Sequence, residues 1–136
     1  MAYFEWTDKF DLHIDSMDGE HKKLISLMNQ IYDLNEKKAK HDDIKRVVLA
    51  LESATVQHFQ HEEELMTKMA YPKLSTHKLI HKKLLEDFGK HKESFVAARG
   101  GLDLGFFNFL KGWLAAHIAG IDQQYAAHSR GMKLAG

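Results

Sequence analysis

The chain contains no cysteine, which excludes disulfide partners, thiolate metal sites and cysteine nucleophiles together. Its only proline is Pro72, so little in it is built to interrupt helices. Charge of neither sign is in excess, because Lys plus Arg and Asp plus Glu both number 19. A nucleic-acid partner would call for a basic stripe, and no segment supplies one. No apolar run approaches the roughly 20 residues that span a bilayer. The N-terminus also lacks the pattern of a secretory signal, and the expected setting is the cytoplasm. At 136 residues the chain is long enough for one proper core, and a single domain over 1–136 is expected.

Histidine, by contrast, is abundant, with ten in the chain. It is the commonest metal ligand and the proton carrier of neutral pH, so the excess has to be placed on the fold.

Four stretches repeat their apolar residues at helical spacing. The first runs from about Asp18 to Lys38, with Leu24, Ile25, Met28, Ile31 and Tyr32 on one face. The second runs from about Asp42 to Met69 and is broken by Tyr71-Pro72, since proline disfavours helix in the residue before it. The third covers about Leu74 to Ala98 and ends at Gly100-Gly101. Asp103 can cap the fourth, about Leu104 to His128. Short connections between four helices predict an all-α, up-down-up-down antiparallel four-helix bundle spanning 18–128. Residues 1–17 have no helical period and form an extended N-terminal arm, whose Tyr3, Phe4, Trp6 and Phe10 are expected to pack across the bundle. Residues 129–136 are expected to be a frayed tail.

Half of the histidines interrupt the apolar stripes. His21 lies one turn before Leu24 and Ile25; His58 and Glu62, and His77 and His81, are pairs four apart that share a helix face. His117 and Asp122 fall within the inward run Leu110, Trp113, Leu114, Ile118, Ile121. Their heights in the bundle agree as well. His21 lies 17 residues before Lys38 and His58 lies 16 after Asp42, on antiparallel helices. His81 lies 17 before Ala98, while His117 and Asp122 lie 13 and 18 after Leu104. Five histidines and two carboxylates thus converge in one layer of the core. A lone buried histidine is commonplace, but burying two carboxylates without cations is costly, and metal ions remove that cost. Seven donors exceed the needs of one zinc and suit a pair of ions bridged by the carboxylates. Imidazole-rich sites accept iron, copper, nickel or zinc, so ligand type alone does not select the metal.

The step from His117 to Asp122 is irregular. Five residues on a regular helix separate side chains by about 140°. Either the reach of histidine closes that gap or a π-bulge near Gly120 does. Glu63 is placed to accept from a ligating imidazole or to face solvent. His61 is turned about 60° from His58, and His13, His41, His91 and His128 are expected at the surface.

The ordered set Asp18-x-x-His21, His58-Phe59-x-x-Glu62-Glu63, His77-x-x-x-His81 and Trp113-Leu114-x-x-His117-Ile118-x-x-x-Asp122 resembles the hemerythrin signature. The Trp6 arm and the Met66 to Pro72 stretch are similar to its prokaryotic single-domain branch. The resemblance implies a non-haem di-iron centre that binds O2 reversibly. One iron would be held by His77, His81 and His117, the other by His21 and His58. Glu62 and Asp122 would bridge them together with an oxo or hydroxo oxygen from solvent, leaving the second iron one donor short, and O2 would bind there. Leu114 and Ile118, one turn apart on the face of Asp122, with Phe59, Trp113 and Ile25, suggest an apolar O2 pocket, although core packing explains the last three equally well. The expected role is oxygen transport, storage or delivery to an oxygen-consuming enzyme, by a monomer that is not itself an enzyme. Three other classes compete. A ferritin-like di-iron oxidase, peroxidase or nitric-oxide-detoxifying enzyme would show Glu-x-x-His pairs, and the sequence has none. An O2 or redox sensor is expected to carry an output domain. Simple iron storage is poorly served by a fixed two-ion site.

Overall fold

The computed structural model describes residues 4–98 and 100–135, with side chains through Gly131. Helix α1 spans Asp15–Glu36, α2 His41–Lys68 and α3 Leu74–Ala98; α4, Leu104–Ala116, runs through a π-helical turn at His117–Asp122 into α5, Gln123–Ala135. Helix α1 packs on α2, α2 on α3, and α4 back on α1, so α4 and α5 together make the fourth rod of an all-α four-helix bundle. Among the described residues there is no strand, and no helix is long and apolar enough to cross a membrane.

Each boundary has a local cause. Helix α1 begins at Asp15, earlier than expected, with Asp15 and Asp18 in its first turn, where carboxylates complement the helix dipole. At its far end Lys38 takes φ 56°, and Ala39 N–H reaches Leu34 O at 3.0 Å while Lys38 N–H reaches Asn35 O at 3.1 Å. That is a Schellman ending made without glycine. Helix α2 ends the same way at Ala70, φ 50°, with Tyr71 N–H bonded to Met66 O at 3.0 Å. The Asp103 carboxylate caps α4 as expected, accepting from Phe106 N–H at 2.9 Å. A Cβ on Gly101 would lie 2.9 Å from Asn35 Oδ1, and that amide holds the loop by accepting from Leu102 N–H at 2.8 Å. Helix α5 continues past His128 to Ala135, because Ala, Met, Lys and Leu all favour helix there, and Gly131 is carried within it rather than ending it.

The segment before α1 is not extended throughout, since Asp8–Phe10 form a 3-10 turn, but it does pack against the bundle. Phe4 and Phe10 are buried, Trp6 packs against the core beneath Lys22, and Tyr3 lies outside the described residues. Two polar anchors from α1 help to fix it. Asn29 exchanges a pair of hydrogen bonds with the Phe4 backbone, both 2.9 Å, and the buried Asp18 carboxylate accepts from Leu12 N–H at 2.8 Å and Ile14 N–H at 3.2 Å. Asp18→Ala is expected to cost about 2 kcal/mol, the range for a buried donor left unpaired. It would appear as a lower urea midpoint at unchanged slope, and an unmoved midpoint would show that Asp18 does not hold the arm.

The apolar interior comes in two parts. One cluster runs from Leu24, Met28 and Ile31 through Leu51 and Phe106 to Leu114 and Ile118. The other gathers Leu12, Met17, Met66, Met69, Tyr71 and Tyr125. On the first two helices the polar residues fall between the two: Met17, His21, Leu24 on α1, and Leu51, His58, Glu62, Met66 on α2.

Candidate metal centre

All seven sequence-predicted residues meet in that dividing layer, none more than 4 % exposed. Helix α1 supplies His21, α2 supplies His58 and Glu62, and α3 supplies His77 and His81. The π turn supplies His117 and Asp122 at its two ends. A π turn closes its hydrogen bonds between residues five apart, so it brings this five-residue pair onto one face. The alternative, histidine reach on a regular helix, does not apply.

The donors form two overlapping groups. One atom from each of Glu62, His77, His81, His117 and Asp122 lies within 4.8 Å of all the others, and so does one from each of His21, His58, Glu62 and Asp122. Glu62 and Asp122 belong to both. Asp122 Oδ1 lies 3.1 Å from His77 Nε2 and 3.0 Å from His117 Nε2, while Oδ2 lies 3.1 Å from His21 Nε2. Glu62 Oε1 sits 3.3 Å from His58 Nε2 and 3.2 Å from His81 Nε2. Yet His21 Nε2, His58 Nε2, His77 Nε2, Glu62 Oε1 and both Asp122 oxygens are buried without a hydrogen-bond partner. His81 Nε2 and His117 Nε2, each an acceptor in its ligating form, face one another at 3.2 Å. Buried polar atoms are normally paired. Lone pairs that converge on common points and miss each other as hydrogen bonds fit a requirement for cations.

The charge balance agrees. Burial acts to raise Glu62, but His58, His21 and His81 outweigh it and hold the carboxyl well below its ordinary value. Burial and the Glu62 charge act to raise Asp122, and His117 and His21 again prevail, so it too is held low. Burial acts to lower His58, and Glu62 with Glu20 pushes it up to about 10. Two ionised carboxylates in an apolar core thus draw positive charge to themselves, a need that metal ions meet in full.

An outer ring of side chains aims these donors. His81 Nδ1–H donates to Glu63 at 2.9 Å, which settles the open role of that residue. His58 Nδ1–H donates to Glu20 Oε1 at 2.6 Å, and His61 Nδ1–H to Glu20 Oε2 at 2.7 Å. The Tyr125 hydroxyl donates to Glu62 Oε2 at 2.6 Å, and burial together with the Glu62 and Asp122 charges keeps that phenol protonated. Sequence reasoning passed over Glu20 and Tyr125. Tyr125 stands three residues beyond Asp122, on the same face, a legible signal, whereas Glu20 meets its partners only across the α1–α2 interface.

Of the suggested pocket residues, Leu114, Ile118, Phe59, Trp113 and Ile25 are all buried in the larger apolar cluster. Phe59 lies flat on His81, ring centroids 3.7 Å apart and planes 4° apart, with Trp113 edge-on to it at 5.9 Å. The remaining histidines are only partly where they were expected. His13 is exposed, but His41, His91 and His128 are half-buried. His41 bonds Gly100 O at 3.0 Å, His128 bonds Met69 O at 3.0 Å, and His91 stacks on Phe109.

A four-helix bundle with a buried, histidine-rich layer that shares two carboxylates between two donor groups defines a class of non-haem metal-binding protein. Known proteins narrow it. The profile of the hemerythrin HHE cation binding domain matches residues 12–128. A bacteriohemerythrin of Clostridium acetobutylicum is 33% identical over 130 residues, covering 90% of this chain and 98% of that protein. A myohemerythrin of Theromyzon tessulatum is 30% identical over 122 residues, covering 90% of each. The crystal structure of a wild-type hemerythrin superposes with a TM-score of 0.84 at 27% identity, covering 93% of this chain and 97% of that one. The chain belongs to the hemerythrin family.

Proposed function

We propose that the layer holds two iron ions and binds O2 reversibly. His77, His81 and His117 would hold one ion and His21 and His58 the other, with Glu62, Asp122 and a solvent-derived oxo or hydroxo oxygen shared. The observation that carries this reading is the pair of overlapping donor groups with Glu62 and Asp122 common to both. Iron rather than another imidazole-binding metal is favoured by family membership. When bound, the iron pair supplies two one-electron donors and one open coordination position for O2.

The chain's own part is binding, orientation and exclusion of water. Glu20 and Glu63 each accept a histidine Nδ1–H, which fixes the tautomer and turns Nε2 inward. Tyr125 fixes the shared Glu62. Leu114 and Ile118, with Phe59, Trp113 and Ile25, supply an apolar wall that would favour O2 over water and polar substrates. Such a lining suits a carrier that stores O2 or passes it to an oxygen-consuming enzyme, rather than an enzyme that turns it over. The decisive experiment is anaerobic iron analysis followed by O2 titration and degassing. Two irons per chain and an absorption change fully reversed on degassing are expected. Fewer irons, or steady O2 consumption with a reductant, would overturn the carrier reading.

A further inference from the structure

The two donor groups are supported from outside by different carboxylates, one each. Glu63, on α2, takes the Nδ1–H of His81, a member of the five-residue group. Glu20, on α1, takes the Nδ1–H of His58, a member of the four-residue group, across the α1–α2 interface. Glu20 is doubly held, because its second oxygen accepts from the half-exposed His61 at 2.7 Å. The His61 contact fixes the carboxylate rotamer, and the carboxylate in turn fixes the His58 ring. His21 has no such support, since both of its ring nitrogens are buried without a hydrogen-bond partner. His58 is therefore the only externally braced imidazole of the four-residue group among the described contacts.

From this we infer that Glu20 is a positioning residue that governs retention of one metal ion of the pair, the one held by His21 and His58, while Glu63 serves the other. The inference rests on the two-ion reading. A charged acceptor on Nδ1–H orients the ring, selects the Nε2 lone pair for the metal and makes that nitrogen a stronger donor. Loss of such a partner typically costs ten- to a hundred-fold in metal affinity. The four-residue group offers fewer protein donors, so it has less to fall back on.

The test uses the iron-loaded full chain, challenged anaerobically with a ferrous chelator at a strength that leaves the unaltered protein both irons. Glu20→Ala is expected to come away with one iron, its affinity for the other weakened about ten- to a hundred-fold. Glu63→Ala should also retain one, and the double variant none, because each carboxylate serves a different ion. Glu20→Gln, which keeps an acceptor for His58 but not the charge, should fall between Ala and the original. Helix content and thermal midpoint are recorded for each variant, so that unfolding is not read as metal loss. If Glu20→Ala holds both irons as firmly as before, or a folded Glu20→Ala loses both together, the inference fails. If the double variant still keeps one, the two carboxylates act on the same ion and the inference fails likewise. An unaltered chain that never takes up two irons would instead overturn the proposed function.

Discussion

Glu62→Gln is expected to strip the centre of both irons under a chelator challenge that the original chain withstands. Glu62 is fully buried and common to both donor groups, so on the two-ion proposal its loss would remove a ligand from each ion and the link between them. The amide is nearly isosteric and its oxygen can still accept from Tyr125, which now bonds Glu62 Oε2 at 2.6 Å. Packing is therefore preserved while the negative charge is lost. Affinity should fall by more than about a hundred-fold, the upper end of what an outer partner contributes. Glu62→Ala should do the same and additionally leave the Tyr125 hydroxyl unpaired, at a cost of about 1–3 kcal/mol in stability. Iron per chain and circular dichroism of the same samples separate the two effects. A folded Glu62→Gln chain that resists the chelator like the original would remove Glu62 from the site.

A single alanine inserted after Gly120 is expected to empty the site by another route, while removal of Gly120 should spare it. The π turn at His117–Asp122 accommodates one residue more than an α-helix would between its two end residues. Removing Gly120 leaves His117 and Asp122 four apart, the ordinary same-face spacing, and Gly120 is exposed with nothing within 4 Å of an added Cβ. The register of α5 is then retained by a regular helix. Inserting a residue instead turns Asp122 and Tyr125 by about 100° relative to His117, which takes one shared carboxylate and the anchor of the other out of the layer. Iron content should survive the deletion and be lost in the insertion. The reverse result would show that the π turn is not what aligns the pair.

The placement of the seven residues could be read from sequence because two independent periodicities agreed. Each lies on an apolar stripe, and counting from the helix ends puts His21, His58, His81, His117 and Asp122 at one height. Neither depends on side-chain detail. The irregular step from His117 to Asp122 was visible as a conflict, but spacing alone does not choose between a bent reach and a π turn. Helix ends were less legible where left-handed residues are not glycine. Lys38 and Ala70 carry the sign of φ that terminates α1 and α2, and neither residue type announces it. Glu20 was missed because its partners lie 38 and 41 residues away on another helix, and it sits on the flank of the stripe rather than within it. Half-burial of His41 and His128 has the same origin: each bonds a loop carbonyl 59 residues distant.

The flat stack of Phe59 on His81 bears on how firmly one imidazole of the layer is held. That imidazole is pressed on one face at 3.7 Å and tied at its far edge to Glu63 at 2.9 Å. With its face covered and its edge tethered, the ring has little freedom to tilt or swing when the charge beside it changes. Were the proposed iron pair bound, a ring held in this way would add little movement of its own to the reorganisation energy of electron transfer. A scaffold that need not rearrange in either direction is what a reversible cycle at the proposed centre would call for.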